Sequence, residues 1–201
     1  MAMTLDGTSG ITQMTGSIVM SGSTSGTVTI IPTATAGSNT ATLPAATGTV
    51  MVSGNMPAFS AYSSSTQIVS SGVETKVIFG TESYDTNSNY NPTLSRFTPT
   101  VAGYYQMNVS VATAADTSIS SARFYIAKNG SGQYVPSIEN TGLTGAGYYT
   151  PAFAALVYAN GTTDYFEVYG FVEGTGTNRY FFSSSAGLHA TVFQGILVRS
   201  A

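Results

Sequence analysis

The chain has no cysteine and no tryptophan, a single histidine, and few charges for its 201 residues. Without cysteine, disulfide frameworks and thiolate metal sites are excluded, so stability has to come from burial, within the chain or between copies of it. Six Lys and Arg stand against nine Asp and Glu, a formal net charge of −3, and the cations are scattered between Lys76 and Arg199. Nucleic acid needs a clustered basic footprint that displaces counterions, so it is excluded as a partner. Long apolar runs are missing too: nothing approaches the roughly 20 residues of a membrane-spanning helix, and insertion into a membrane is not expected. The opening Met-Ala-Met-Thr-Leu-Asp-Gly has no basic region followed by an apolar one, and so does not read as a secretory signal.

What the chain does have is unevenly placed. Residues 1–57 contain no aromatic residue and one charge, Asp6, whereas all 13 tyrosines and 10 phenylalanines fall in residues 58–201. Six of the seven methionines lie on the aromatic-free side. Two modules with different packing chemistry are expected, 1–57 and 58–201, with the break near Ser53-Gly-Asn-Met-Pro57. In the first, short β-branched runs (Ser17 to Met20, Thr27 to Ile31, Thr40 to Leu43, Thr49 to Val52) alternate with small-residue turns. A segment of this length without aromatics buries little apolar area, so it reads as a shaft or anchor packed against sister chains; the alternative is a flexible Ser/Gly-rich leader.

The second module is a succession of strand signals broken by turns, with no helical period, which predicts an all-β sandwich or jelly roll. Ala58 to Tyr62, Thr66 to Val69 and Thr75 to Phe79 come first, then a polar loop from Ser83 to Pro92. Strands follow at Ala122 to Lys128 with Asn129-Gly130 as turn, Gln133 to Ile138, Pro151 to Tyr158, Asp164 to Val172 and Ala190 to Val198. The clearest strand is fed by Phe97-Thr-Pro-Thr-Val-Ala-Gly103, where Pro99 fixes φ and Gly103 is read as tolerating a special backbone angle. Alternation then puts Tyr105, Met107, Val109 and Val111 on one face and Tyr104, Gln106, Asn108 and Ser110 on the other.

The order of motifs resembles the globular head of complement subcomponent C-one-q and the related tumour-necrosis-factor jelly roll. The matching pieces are Ala58-Phe59-Ser60-Ala61, Tyr90-Asn91 ahead of Phe97-x-Pro99-x-x-x-Gly103-x-Tyr105, the strand ending Lys128-Asn129-Gly130, and Phe193-x-Gly195-x-Leu197. Met107 departs from the family's usual aromatic, Thr163-Asp164 from its Gly-Asp, and no collagen-like stalk precedes the head. The stretch from Gly26 to Val50 instead looks like sequences common in tailed-bacteriophage fibres. The resemblance implies a homotrimer of jelly rolls, each of two antiparallel sheets. Phe97, Tyr105, Val109 and Val111 are expected in the core, and Tyr104, Gln106 and Asn108 against the sister subunits; a wet polar face is the alternative for these three.

No catalytic constellation emerges. A triad has to use His189, and Ser183-Ser-Ser185 lacks a nucleophile elbow, so the histidine reads as an edge or interface group. Asp164 and Glu167 are three apart on a strand, on opposite faces, and make no acid/base pair. Asp85-Thr-Asn87-Ser-Asn89 imitates the start of a calcium loop, but Tyr90 stands at the turn glycine and Arg96 at the bidentate glutamate, so an Asx-rich turn is favoured. No metal, cofactor or enzymatic activity is assigned. Tyrosines in polar loops, Tyr84, Tyr90, Tyr134, Tyr148 and Tyr149, are candidate receptor contacts, since their rings stack on sugars at low entropy cost; packing at subunit contacts is the alternative.

The sequence thus points to a virion fibre: residues 1–57 engaging other virion proteins, and a trimeric head outward to bind a host-surface glycan or protein. A structural head fibre or capsid decoration is the alternative, and a glycan depolymerase a weaker third. Localisation in a virion, assembled in the host cytoplasm and released by lysis, accords with the reading of the first residues.

Overall fold

The computed structural model describes residues 18–31, 50–52, 54, 56–115, 118–141, 149–183 and 189–201, with the backbone alone for 131–141. They belong to two units that divide after Gly48.

In the first unit, β1 (Ile18–Ser21) and β2 (Thr27–Ile30) form a hairpin. The register sets Ile18 opposite Ile30 and Met20 opposite Val28, so these four share one face, and all four are exposed. A lone two-stranded ribbon is marginal in water because it cannot cover such a face. The expected strand from Thr40 to Leu43 lies outside the described residues. Residues 50–52 of the expected Thr49 to Val52 run carry no strand, and Met51 packs instead against the core of the second unit.

The second unit is an antiparallel jelly-roll sandwich. Its strands in chain order are β3 (Ala58–Tyr62), β4 (Gln67–Val69), β5 (Thr75–Lys76), β6 (Thr81–Asp85), β7 (Tyr90–Asn91), β8 (Arg96–Phe97) and β9 (Gly103–Ser110). There follow β10 (Thr113–Ala115), β11 (Ser118–Lys128), β12 (Ser131–Thr141), β13 (Ala152–Ala159), β14 (Phe166–Thr175), β15 (Arg179–Phe181) and β16 (Val192–Ser200). One sheet has the order β13-β9-β16-β3-β6, and the other β12-β11-β14-β8-β7 with β5 also paired to β14. A third, small sheet, β10-β15-β4, was not expected from a two-sheet reading.

The Ser83 to Pro92 stretch is a loop only in part. Its ends are strands β6 and β7, because Asp85 folds the chain back on itself: one carboxylate oxygen accepts the Asn87 amide and the other the Tyr90 amide. That is the Asx turn, with both oxygens committed to backbone. In the Thr75 to Phe79 run the strand ends at Lys76, the Val77 amide still donates to the Val168 carbonyl, and side chains then take over: Gln67 accepts the Ile78 amide and Ser95 the Phe79 amide. The Asn129-Gly130 turn has positive φ at both residues, 57° and 68°, as a tight hairpin turn requires.

Phe97, Tyr105, Met107, Val109 and Val111 are all buried, on the face that alternation assigns. Phe59 of the five-stranded sheet stacks on Phe97 of the other at 4.2 Å and on Tyr90 at 5.0 Å, with Phe193 edge-on at 4.9 Å. The buried hydroxyls stay satisfied: Tyr90 donates to the Phe79 carbonyl and Tyr105 to that of Val101.

Gly103 differs from its expected role. Its φ is not in the left-handed region, and what it supplies is closeness: a Cβ there would lie 2.3 Å from the Arg199 carbonyl oxygen and 2.8 Å from Leu197. Gly195 is similar, since an added Cβ would meet the Phe59 ring at 2.6 Å and Met107 Sδ at 2.7 Å. Gly195→Ala should therefore destabilise the sandwich by about 1–3 kcal/mol through overpacking. Gly54→Ala, where a Cβ meets nothing within 4 Å, should stay within about 0.5 kcal/mol. Urea unfolding of the two variants checks the difference.

Candidate functional site

Registers across the five-stranded sheet place its outward side chains in rows. One row reads Ala154, Asn108, Gln194, Ser60, Tyr84 from β13 to β6. The next reads Leu156, Gln106, Ile196, Ala58, and beyond it Tyr158 lies beside Tyr104. Alternation past the buried Leu197 turns Val198 outward here as well, and a register shift between Leu197 and Arg199 brings Arg199 opposite Tyr104. Tyr104 (44% exposed), Leu156 (58%), Tyr158 (37%), Ile196 (46%) and Val198 (60%) thus form one open apolar band. The rings of Tyr104 and Tyr158 lie 5.5 Å apart, Arg199 stands opposite Tyr104, and Lys128 Nζ lies 5.6 Å from the centre of the Tyr158 ring. A contiguous apolar face on a single chain marks an interaction surface.

The rows on the β13 side hold polar groups. Gln194 donates to Ser60 Oγ at 3.1 Å and Ser110 to the Ala190 carbonyl at 2.9 Å, while the Asn108 side-chain amide has no hydrogen bond among the described residues. Asn108, Ser110, Ala152, Ala154, Val192 and Gln194 surround a shallow hollow of about 350 Å³.

The outward face of the other sheet has the opposite chemistry. Glu167, 2% exposed, accepts from Lys76 Nζ at 3.2 Å and from Arg96 at 2.9 Å, and Tyr169 donates to its second oxygen at 3.3 Å. The Arg96 guanidinium lies 3.8 Å over the Tyr165 ring. Tyr169 stacks on Tyr125, whose hydroxyl donates to Glu74, and Glu74 pairs with Arg123. Burial first, then the neighbouring Glu74 carboxylate, pushes the Tyr125 phenol up to about 12.

At one end of the sandwich a clasp holds β13 to the opposite sheet. Lys128 Nζ reaches Asp164 at 2.7 Å and the Tyr158 carbonyl at 2.9 Å, while Asn129 and the Asn160 amide also donate to Asp164. Burial alone raises a carboxyl, but these donors outweigh it and hold Asp164 below the ordinary carboxylate range.

The residues singled out from sequence fare differently. Tyr104, Gln106 and Asn108 lie together on the outward face of β9, which is the second strand of the five-stranded sheet, between the edge strand β13 and the central β16. Tyr84 shares that face at the β6 edge and is 51% exposed. Tyr90 is a correction: it is 6% exposed, stacked on Phe59 in the core, and its ring is closed to any receptor. Tyr149 is half-buried against the core and bonded through its backbone to Thr113. Tyr148 and the side chain of Tyr134 lie outside the described residues. Asp164 and Glu167 engage separate cations, and His189 stacks on Tyr62 with centroids 3.7 Å apart. Leu156, Tyr158, Ile196 and Val198 were missed; alternation in Ala152 to Ala159 shows two faces, but both are apolar, and nothing in the pattern says which one is open.

No known family pattern and no curated protein matches the chain. Solved structures do resemble it. The globular domain of zebrafish complement 1qA protein aligns with TM-score 0.50 at 17% identity, over 72% of this chain and 99% of that one. The Eiger TNF of S. frugiperda aligns with TM-score 0.52 at 11% identity, over 73% and 93%. The PRD1 vertex protein P5 spans 92% of this chain and 82% of its own at 8% identity, with a TM-score of 0.42. The first two likenesses support the jelly-roll fold.

The clasp makes a pH prediction. Native Asp164 binds its proton more weakly than the unfolded chain, so its contribution is complete above the ordinary value near 3.9 and fades as pH falls through the lower folded value. Between neutral pH and about pH 3 the unfolding midpoint should drop less steeply in Asp164→Asn than in the wild type; equal slopes would remove the clasp from the acid response.

Proposed function

We propose that this chain is a homotrimeric structural protein of a bacteriophage virion fibre. Its jelly-roll head packs around a threefold axis through the outward face of the five-stranded sheet and is presented for host-surface adhesion. The observation that carries the trimer is the open band of Tyr104, Leu156, Tyr158, Ile196 and Val198, an apolar surface running from the edge strand β13 across β9 to β16 in a sheet with few charges. Covering it with copies of itself removes it from water, at about 25 cal/mol per Å² of apolar area, without requiring a second protein. The virion placement rests on the Thr/Gly/Ser-rich segment likened to phage fibres, and on the β1–β2 hairpin, whose apolar face suits packing with sister chains or with another virion protein.

A purely structural head or decoration protein is a second reading, and one observation favours it. The tyrosines offered for a receptor do not gather into a patch: Tyr90 is core, Tyr149 is half-buried, and Tyr84 shares the face assigned to the trimer. Purified heads that bind host cells and block infection support adhesion; heads that do neither leave the structural role.

Light scattering at micromolar concentration should give the mass of a trimer, and a stable monomer would sink the proposal. Tyr104→Asp sets carboxylates into the band near the axis, where desolvating a charge is costly. It should dissociate the trimer while leaving the monomer folded by circular dichroism. A variant that stays trimeric would show that β9 faces solvent.

A further inference from the structure

The hollow at the β13–β9 edge and Tyr84 at the β6 edge are complementary. The hollow has a floor of small or apolar groups, Ala152, Ala154 and Val192, and a rim carrying the Asn108 amide, which has no hydrogen bond among the described residues. Such a site fits a flat apolar body with one hydrogen-bonding tip, which describes a phenol. Tyr84 is 51% exposed, and its side chain makes no hydrogen bond or ring contact among the described residues.

Both lie on the same face, at opposite ends of the row Ala154, Asn108, Gln194, Ser60, Tyr84. Four strand spacings of about 4.8 Å put Tyr84 roughly 19 Å from Ala154, so one copy cannot fill its own hollow. A second copy can. A contact that joins one patch to a different patch generates a closed ring when the rotation between copies closes.

We infer that Tyr84 of each subunit seats in the Asn108/Ala154 hollow of the next, as the head-to-tail contact that closes the trimer; this rests on the trimer reading given above. The ring covers Ala152 and Ala154, and the phenol hydroxyl meets the Asn108 amide. Tyr84 is therefore a subunit contact and not a receptor contact.

The absence of native cysteine allows a direct test on the full chain. Tyr84→Cys combined with Ala154→Cys, treated with a short bis-maleimide, should give covalent species ending at three chains on a denaturing gel. Either cysteine alone should give only collisional traces. A product ending at two chains overturns the ring, because it means a reciprocal twofold contact. No product from a wild-type-like trimer by light scattering overturns the Tyr84 contact and leaves the trimer standing, whereas a monomeric wild type overturns both. As a second measurement, Ala154→Trp fills the hollow and should weaken association at least tenfold with an unchanged circular dichroism spectrum. Association equal to wild type would overturn the inference.

Discussion

The ring of Phe59, held between Tyr90 and Phe97 with Phe193 edge-on, is the contact on which the second unit depends. Phe59 and Phe193 come from the five-stranded sheet, Tyr90 and Phe97 from the strands β7 and β8 that edge the other. Neither sheet can shift without unstacking the cluster, and interiors packed at this density do not deform gradually. Gly195 exists in relation to it, because any side chain there would occupy the space of the Phe59 ring. Fixing β3 against β16 fixes β9 in turn, and so sets which side chains of β9 stand on the outward face.

Charge is rationed between the two outward faces. In a chain with 7% charged residues, Lys76, Arg96, Glu167, Glu74 and Arg123 converge on the six-stranded sheet. There each charged group is paired with an opposite one, as a nearly buried carboxylate such as Glu167 requires. That face pairs its charges among themselves and suits water. The five-stranded sheet shows mainly hydroxyls, amides and apolar groups, with Arg199 at one end and Glu82 on the edge strand β6, so desolvating its β13, β9 and β16 rows carries little ionic penalty. The division accords with the proposal that the five-stranded sheet is the face that associates.

Much of this was legible in the sequence where a periodic pattern meets a single physical cause. The alternation from Tyr104 to Val111 gives the two faces of β9, and the motif order gives the jelly roll. Reading failed where neighbours along the chain mislead about neighbours in space. Tyr90 sits among Asn and Ser, yet Asp85 bends the backbone so that its ring enters the core. Gly103 follows a proline turn and suggests unusual φ, while its actual constraint, the Arg199 carbonyl, is nearly a hundred residues away and invisible locally. In β13 both faces are apolar, so periodicity finds the strand without saying which side is open; only the register to β9 shows that Leu156 and Tyr158 flank Gln106 and Tyr104.

That last register also bears on how a face so poor in charge would be selective in the proposed trimer. Hydrophobic burial is non-directional, and a band of Tyr, Leu, Ile and Val alone would accept many orientations of a partner. The adjacent row removes that freedom: Gln194 and Ser60 are bonded to each other, but the Asn108 amide has to be matched or left unsatisfied, and an unsatisfied buried amide costs roughly 1–3 kcal/mol. Affinity from the apolar rows and orientation from the polar one are thus separable on a single sheet. The hinge between them is Gln106, with Leu156 and Ile196 on either side and Asn108 two residues on. Its amide bonds back to the Met107 carbonyl, which satisfies one donor locally and lets a polar side chain sit within the apolar band without demanding a partner.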